Sequence, residues 1–182
     1  FQRSADIREV ELDARGHLFK SLDPEKLSHD RQIRLAAAPV DFDLSPDGRW
    51  ACVSLASGEV EIVDLDSWRS AGKVALGGEP TLVAVRSDAR QFFVANRADR
   101  RISVVQIAPP QLLAHLPLDA RPETLRFKPD GGELFISGGD RGVVLIVSAY
   151  RNEIDQPLLA GAEPRDIVIT RDNRLLFVAN SA

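Results

Sequence analysis

The sequence predicts an all-β protein, a β-propeller built of four-stranded antiparallel blades, with about three and a half blades in its 182 residues. Four prolines, Pro39, Pro80, Pro122 and Pro164, recur 41, 42 and 42 residues apart. Each is followed eight residues later by an aspartate: Asp47, Asp88, Asp130 and Asp172. Each aspartate precedes a hydrophobic run, in the segments Cys52 to Leu55, Phe93 to Asn96, Phe135 to Gly138 and Phe177 to Asn180. A register kept over three periods, at a length that holds four short strands, is the pattern of propeller blades. The expected blades span about residues 39–79, 80–121 and 122–163, with a half blade at 164–182.

The strands follow from the local periodicity. After each proline, apolar residues stand two apart: Phe42 and Leu44, Val83 and Val85, Leu125 and Phe127, Ile167 and Ile169. One buried face of that kind fits the innermost strand of a blade. The turn that follows is Ser45-Pro46-Asp47-Gly48 or Lys128-Pro129-Asp130-Gly131, while Ser87-Asp88-Ala89 and Arg171-Asp172-Asn173 keep the aspartate alone. An aspartate that bonds the nearby backbone explains its recurrence in a turn. The second strand, as in Phe92-Phe93-Val94-Ala95, is apolar on both faces and belongs inside a sheet covered on both sides. A tight connection with Gly58, Arg100 or Gly142 leads to a third strand (Val60 to Val63, Ile102 to Val105, Val144 to Val147). A shorter, more polar fourth strand precedes the next proline and makes the outer edge.

The repeats cover residues 31–182, and residues 1–30 read as a less regular N-terminal segment. Ile33 and Leu35 match a fourth strand of a preceding blade, Ile7 to Leu12 suggest another strand, and Ser21 to Leu27 a loop or one helical turn. The last repeat stops after its second strand, so the parent protein is expected to continue; the alternative is that the N-terminal strands at Ile7 to Leu12 and Ile33 to Leu35 complete the half blade, within the chain or by self-association with a second copy through the open blade edges.

Composition excludes more than it identifies. A net charge of −4 gives no reason to expect nucleic acid, and no run of 18 apolar residues is present to span a membrane. Cys52 is the only cysteine, so no internal disulfide forms. It occupies the repeat position of Phe93, Phe135 and Phe177 and reads as a small buried hydrophobe. His17, His29 and His115 share no ligand spacing and read as surface residues, so no metal or cofactor is implied. Asn96 and Asn180 end their strands and read as turn residues that tolerate left-handed geometry. Arg97, Arg100 and Arg101 read as a solvated hairpin, and Gly138-Gly139-Asp140-Arg141-Gly142 as a hairpin loop without a helix to bind phosphate.

Phe93-Val94-Ala95-Asn96 and Phe177-Val178-Ala179-Asn180, set among prolines and Ser-Pro-Asp-Gly turns, resemble the YVTN family of bacterial β-propeller repeats; Phe135-Ile136-Ser137-Gly138 and Cys52-Val53-Ser54-Leu55 depart from its motif. The resemblance covers about residues 31–182. It implies a periplasmic, secreted or cell-surface protein, and relatives among lactonase-like propellers and redox enzymes. It transfers no catalytic residue.

The chemically variable positions are the two after each proline, where the innermost strands begin near the central channel: Val40-Asp41, Thr81-Leu82, Glu123-Thr124 and Arg165-Asp166. Asp41, Glu123, Arg165 and Asp166 are the candidate polar funnel, with ordinary exposed strand starts as the competing reading. The preferred function is a non-enzymatic scaffold that binds a protein, peptide or glycan. The alternative is part of a lactonase-like hydrolase or redox enzyme whose active centre needs further blades.

Overall fold

The computed structural model describes residues 12–13, 16–23 and 28–181, which form eighteen strands and no helix. The first three, β1 (Leu12–Asp13), β2 (Gly16–Asp23) and β3 (Ser28–Arg34), make one antiparallel sheet. Ser21, Leu22 and Asp23, expected in a loop or helical turn, lie in β2. Pairing with β3, with Ser21 opposite Arg31 and Leu22 opposite His29, satisfies backbone groups that an isolated turn would leave to solvent. Residues 7–11 and 24–27 lie outside the described residues, and with them most of the strand expected over Ile7 to Leu12.

Every repeat proline is the first residue of a strand and is buried. The second sheet runs in chain order through β4 (Pro39–Leu44), β5 (Trp50–Leu55), β6 (Glu59–Asp64) and β7 (Arg69–Ala75). The third does the same through β8 (Pro80–Val85), β9 (Gln91–Asn96), β10 (Arg101–Gln106) and β11 (Gln111–Pro117). The fourth contains β12 (Pro122–Phe127), β13 (Glu133–Gly138) and β14 (Val143–Ser148), and its outer strand is split into β15 (Glu153–Ile154) and β16 (Leu158–Leu159), both paired with β14. Pro157, which has no N–H to give the ladder, lies in the break. The last sheet holds β17 (Pro164–Ile169) and β18 (Leu176–Asn180).

The first strands β4, β8, β12 and β17 lie against one another in that order, as the inner strands of consecutive propeller blades do. Apolar layers between the sheets hold them together. Phe92, Val94, Val83 and Val85 pack on Cys52, Val60 and Ile62, while Phe93, Ile102 and Val104 pack on Leu125, Leu134 and Leu145. Fully burying one such side chain is worth about 1.5–3 kcal/mol. Val83, Leu125 and Ile167 are buried at equivalent places, whereas Phe42 is only half-buried. Phe42 packs with Ile33 of β3 and with Leu35 just beyond it, and the first sheet has no proline-led inner strand among the described residues to cover it.

The turns between first and second strands share one device. Asp47, Asp88, Asp130 and Asp172 each accept, through Oδ1, the N–H two residues on, at 2.9–3.2 Å. Each carboxylate also engages the side chain two residues before it: Ser45, Arg86, Lys128 or Thr170. The recurring aspartates are therefore turn braces held on separate blades. The residue after each takes a left-handed backbone, with φ of 73° at Gly48, 56° at Ala89, 75° at Gly131 and 60° at Asn173.

Candidate functional site

Each inner strand carries a register irregularity just after its proline, between Pro39 and Asp41, Pro80 and Val83, Pro122 and Thr124, and Pro164 and Asp166. Val40, Glu123 and Arg165 are thus the extra residues of β-bulges, a local geometry that lifts a side chain out of the ladder and re-aims it. The bulges lie at the end of the sheets where the blades are joined. Residue identity is free to vary there because these side chains have no cross-strand partner to fit.

Two of the four predicted residues meet directly. Glu123 pairs with Arg97 at 2.7 Å and with Arg165 at 3.7 Å, and Arg165 pairs in turn with Glu163 at 2.9 Å. The chain of charges Arg97–Glu123–Arg165–Glu163 crosses three consecutive blades. Glu123 is the sheltered member, its side chain 13% exposed. Gly139 makes room for it, since a Cβ there would sit 2.7 Å from the Glu123 Cγ. The Ser181 hydroxyl, donating to Glu163, and the Arg165 guanidinium hold the Glu163 carboxyl below the ordinary range.

The other two, Asp41 and Asp166, sit one residue further along their strands. Asp41 Oδ2 accepts the Val83 N–H of the next blade at 2.8 Å, and Asp43 Oδ2 accepts the Val85 N–H at 2.8 Å. These carboxylates cap edge donors of β8 that its own ladder does not use. Burial pushes the Asp41 carboxyl up, against the N–H groups of Val83 and Phe42 and the charge of Arg126, which favour the ionised form. Asp166 Oδ1 accepts from the Ile167 N–H at 2.9 Å and, more weakly, from Thr124 Oγ1 and Arg126 Nη2, each at 3.4 Å. Arg126 therefore stands in the field of both predicted aspartates.

Arg126, Asp43 and Arg97 are functional candidates that the sequence reading missed. A signal existed for the first two: four residues after the proline, where Ala84 and Val168 stand in other blades, Asp43 and Arg126 carry charge. By sequence, Arg97 reads with Arg100 and Arg101 as part of a solvated hairpin. Each is held by a partner: Arg97 by Glu123, Arg100 by Asp140 at 2.8 Å, and Arg101 by Asp99 and by the carbonyls of Leu76 and Gly77.

Asn96 and Asn180 require a correction. Left-handed φ values do not occur at either; they fall at Gly58, Arg100 and Gly142 in the hairpins that follow the second strands. Asn96 Nδ2 donates to the Gly77 carbonyl at 3.3 Å and Asn180 Nδ2 to the Ala160 carbonyl at 2.8 Å, so each clamps the loop leading into its own blade. Cys52 is fully buried, and burial raises its thiol well above the ordinary range. His115, on the outer strand β11, lies 2.9 Å from Ser103 Oγ through Nδ1. Among the described residues no three His, Cys, Asp or Glu side chains converge to hold a metal ion, and no helix is long and apolar enough to cross a membrane.

No protein-family model matches the chain, and no curated protein matches it. Solved structures do. Hydrazine synthase of Kuenenia stuttgartiensis is 26% identical with a TM-score of 0.71, over 77% of this chain and 41% of that one. A functionally unknown protein from Desulfotomaculum acetoxidans is 14% identical with a TM-score of 0.78, over 90% of this chain and 56% of that one. The β-propeller domain of Cps50 (Swd1) from Myceliophteria thermophila is 18% identical with a TM-score of 0.78, over 91% of this chain and 57% of that one. The chain thus spans about half the length of the structures it matches, and the fold it shares with them is the β-propeller. A match to 1403 chains marks a fold too widely used to indicate an activity.

Proposed function

We propose that the chain is part of a non-enzymatic β-propeller scaffold that binds a protein or peptide at the loop end of its inner strands. The observation that supports this most is the ion-pair series Arg97–Glu123–Arg165–Glu163, which crosses three blades with Glu123 and Arg165 on strand bulges and Arg97 and Glu163 on the adjoining loops. Pairs whose arginines stand half-exposed in water contribute little to folding, yet they offer alternating charge to a partner of complementary pattern, which favours specificity and encounter rate. The YVTN-like motifs, whose Asn96 and Asn180 hold equivalent loop clamps, support a bacterial origin and a periplasmic or surface location, and both belong to this proposal.

The test is a screen of mixed-charge peptides against the 182-residue chain. Selected peptides are expected to lose about tenfold in affinity, or 1.4 kcal/mol, with Arg165→Ala and with Glu123→Gln at unchanged melting temperature. Peptides that bind both variants as well as the parent would remove the mouth from consideration. A second reading, that the chain is part of an enzyme, draws on its 26% identity to a hydrazine synthase. Calcium or zinc that copurifies with the intact parent protein in stoichiometric amount would favour that reading in its lactonase-like form.

A further inference from the structure

At the opposite end of the fourth sheet from the bulges, the turn between β12 and β13 and the hairpin after β14 enclose an open cleft of about 390 Å³. Its wall holds Tyr150, Lys128, Asp130, Glu133, Arg151 and Asp155, with Ser148 and the backbone of Gly132 between them. We propose that this cleft is a binding site for a neutral carbohydrate.

The first reason is the aromatic ring. Tyr150 is 69% exposed, the only tyrosine in the chain, and lies in a turn where nothing in the core requires an aromatic side chain. Its position is nevertheless set from below. The guanidinium of Arg86 lies 5.0 Å from the ring centroid and is itself 6% exposed. Arg86 is anchored by Asp88 at 2.6 Å, by Gln91 Oε1 at 3.0 Å and by the Ala149 carbonyl at 2.8 Å. A Cβ on Gly132 would stand 3.5 Å from Tyr150 Cε2, so the glycine backbone borders the ring closely. A ring supported by a buried cation and left open to solvent is a pre-arranged platform for stacking, with a hydroxyl at its tip.

The second reason is the charge pattern. Two cations face three carboxylates, and they are already paired: Lys128 with Glu133 at 3.1 Å and with Asp130 at 3.9 Å, Arg151 with Asp155 at 3.0 Å. Asp130 also accepts from the Gly132 N–H and from Asn173 Nδ2. A charged ligand would have to displace a partner of its own sign. A ligand with several hydroxyls, each donor and acceptor, can bridge an ammonium and a carboxylate without breaking their pairing. No aliphatic side chain lines the cleft, so an apolar ligand gains little there. The volume falls at the lower end of small-molecule sites (roughly 300–1,000 Å³), room for about one or two pyranose rings.

The experiment is amide-resolved NMR titration of the 182-residue chain with cellobiose, maltotriose and chitobiose, each to about 20 mM, a range suited to weak single-site binding. Saturable shifts confined to residues 128–133 and 148–155 are expected for at least one of these sugars. They should weaken at least about tenfold in Tyr150→Ala and persist in Tyr150→Phe, which keeps the ring. Three outcomes overturn the proposal: no saturable shift with any of the sugars, shifts that survive Tyr150→Ala unchanged, or saturation of the same amides by sodium phosphate or triglutamate and by none of the sugars. Because Tyr150 lies far from the bulged strand starts, the result is independent of whether the mouth binds a peptide.

Discussion

Ala89 is the residue at which this chain departs most plainly from its own repeat. It takes the left-handed conformation, φ 56°, that glycine takes at Gly48 and Gly131 and asparagine at Asn173. A Cβ in that region costs about 1–2 kcal/mol, against roughly 0.5–1 kcal/mol for the extra chain entropy of glycine. Ala89→Gly is therefore expected to stabilise the protein by about 0.5–1 kcal/mol, read as a higher urea midpoint at unchanged slope. An unchanged or lower midpoint would show that the turn has relaxed around the methyl group. Asp88 beside it was legible from spacing alone, since its brace is local. The partner it holds was not: Arg86 stands where other blades have Ser45, Lys128 or Thr170, and only the packed neighbour supplies the Ala149 carbonyl and the Tyr150 ring.

Among the elements, the turn joining β8 and β9 links two blades through that arginine. The Arg86 guanidinium, donating to its carboxylate, holds the Asp88 carboxyl below the ordinary range. A carboxyl depressed on folding adds stability that is complete above the unfolded value, about 4, and is lost as pH falls through the folded value. Asp88→Asn is expected to cost about 2 kcal/mol at pH 7, less than a fully buried pair because Gln91 and Ala149 remain as acceptors. That deficit should begin to shrink below about pH 4, where the unfolded wild-type chain takes up the proton first, and close only below the depressed folded value. Urea unfolding of both proteins at pH 7 and pH 3 checks this, and a deficit that stays constant would assign the cost to packing. The bulges at the head of each inner strand are also an element-scale feature. The proline and its variable followers were visible in the sequence, but the one-residue slip that points Glu123 and Arg165 out of the ladder depends on pairing with β13 and β18.

For the whole molecule, burial of one repeat position records the stacking of blades. Phe93 is 0% exposed and Phe135 9%, yet Phe177 is 58% exposed, together with Val168 at 58% and Leu175 at 57%. The two-stranded sheet of β17 and β18 covers the blade before it and turns an apolar face to solvent, with the outer edge of β18 unpaired among the described strands. Apolar faces and open edges of this kind drive association. The 182-residue chain by itself is expected to self-associate at tens of micromolar, a range set by weak-affinity arithmetic. Phe177→Lys should shift it toward monomer in sedimentation velocity. A wild-type chain that stays monomeric at that concentration would show that this face is tolerated in water as it stands.

Secondary structure and repeat architecture were determined by the sequence itself, because strand alternation, proline spacing and aspartate turns are local signals that the chain repeats four times in one register. The buried character of Cys52 was legible for the same reason, by its equivalence to Phe93 and Phe135. Tertiary structure alone decided the partners. The capping of β8 by Asp41 and Asp43, the charge series through Glu123, the loop clamps of Asn96 and Asn180 and the Tyr150 cleft all join residues from different turns or blades. Their distances are set by how the sheets stack, and no spacing within one repeat encodes them.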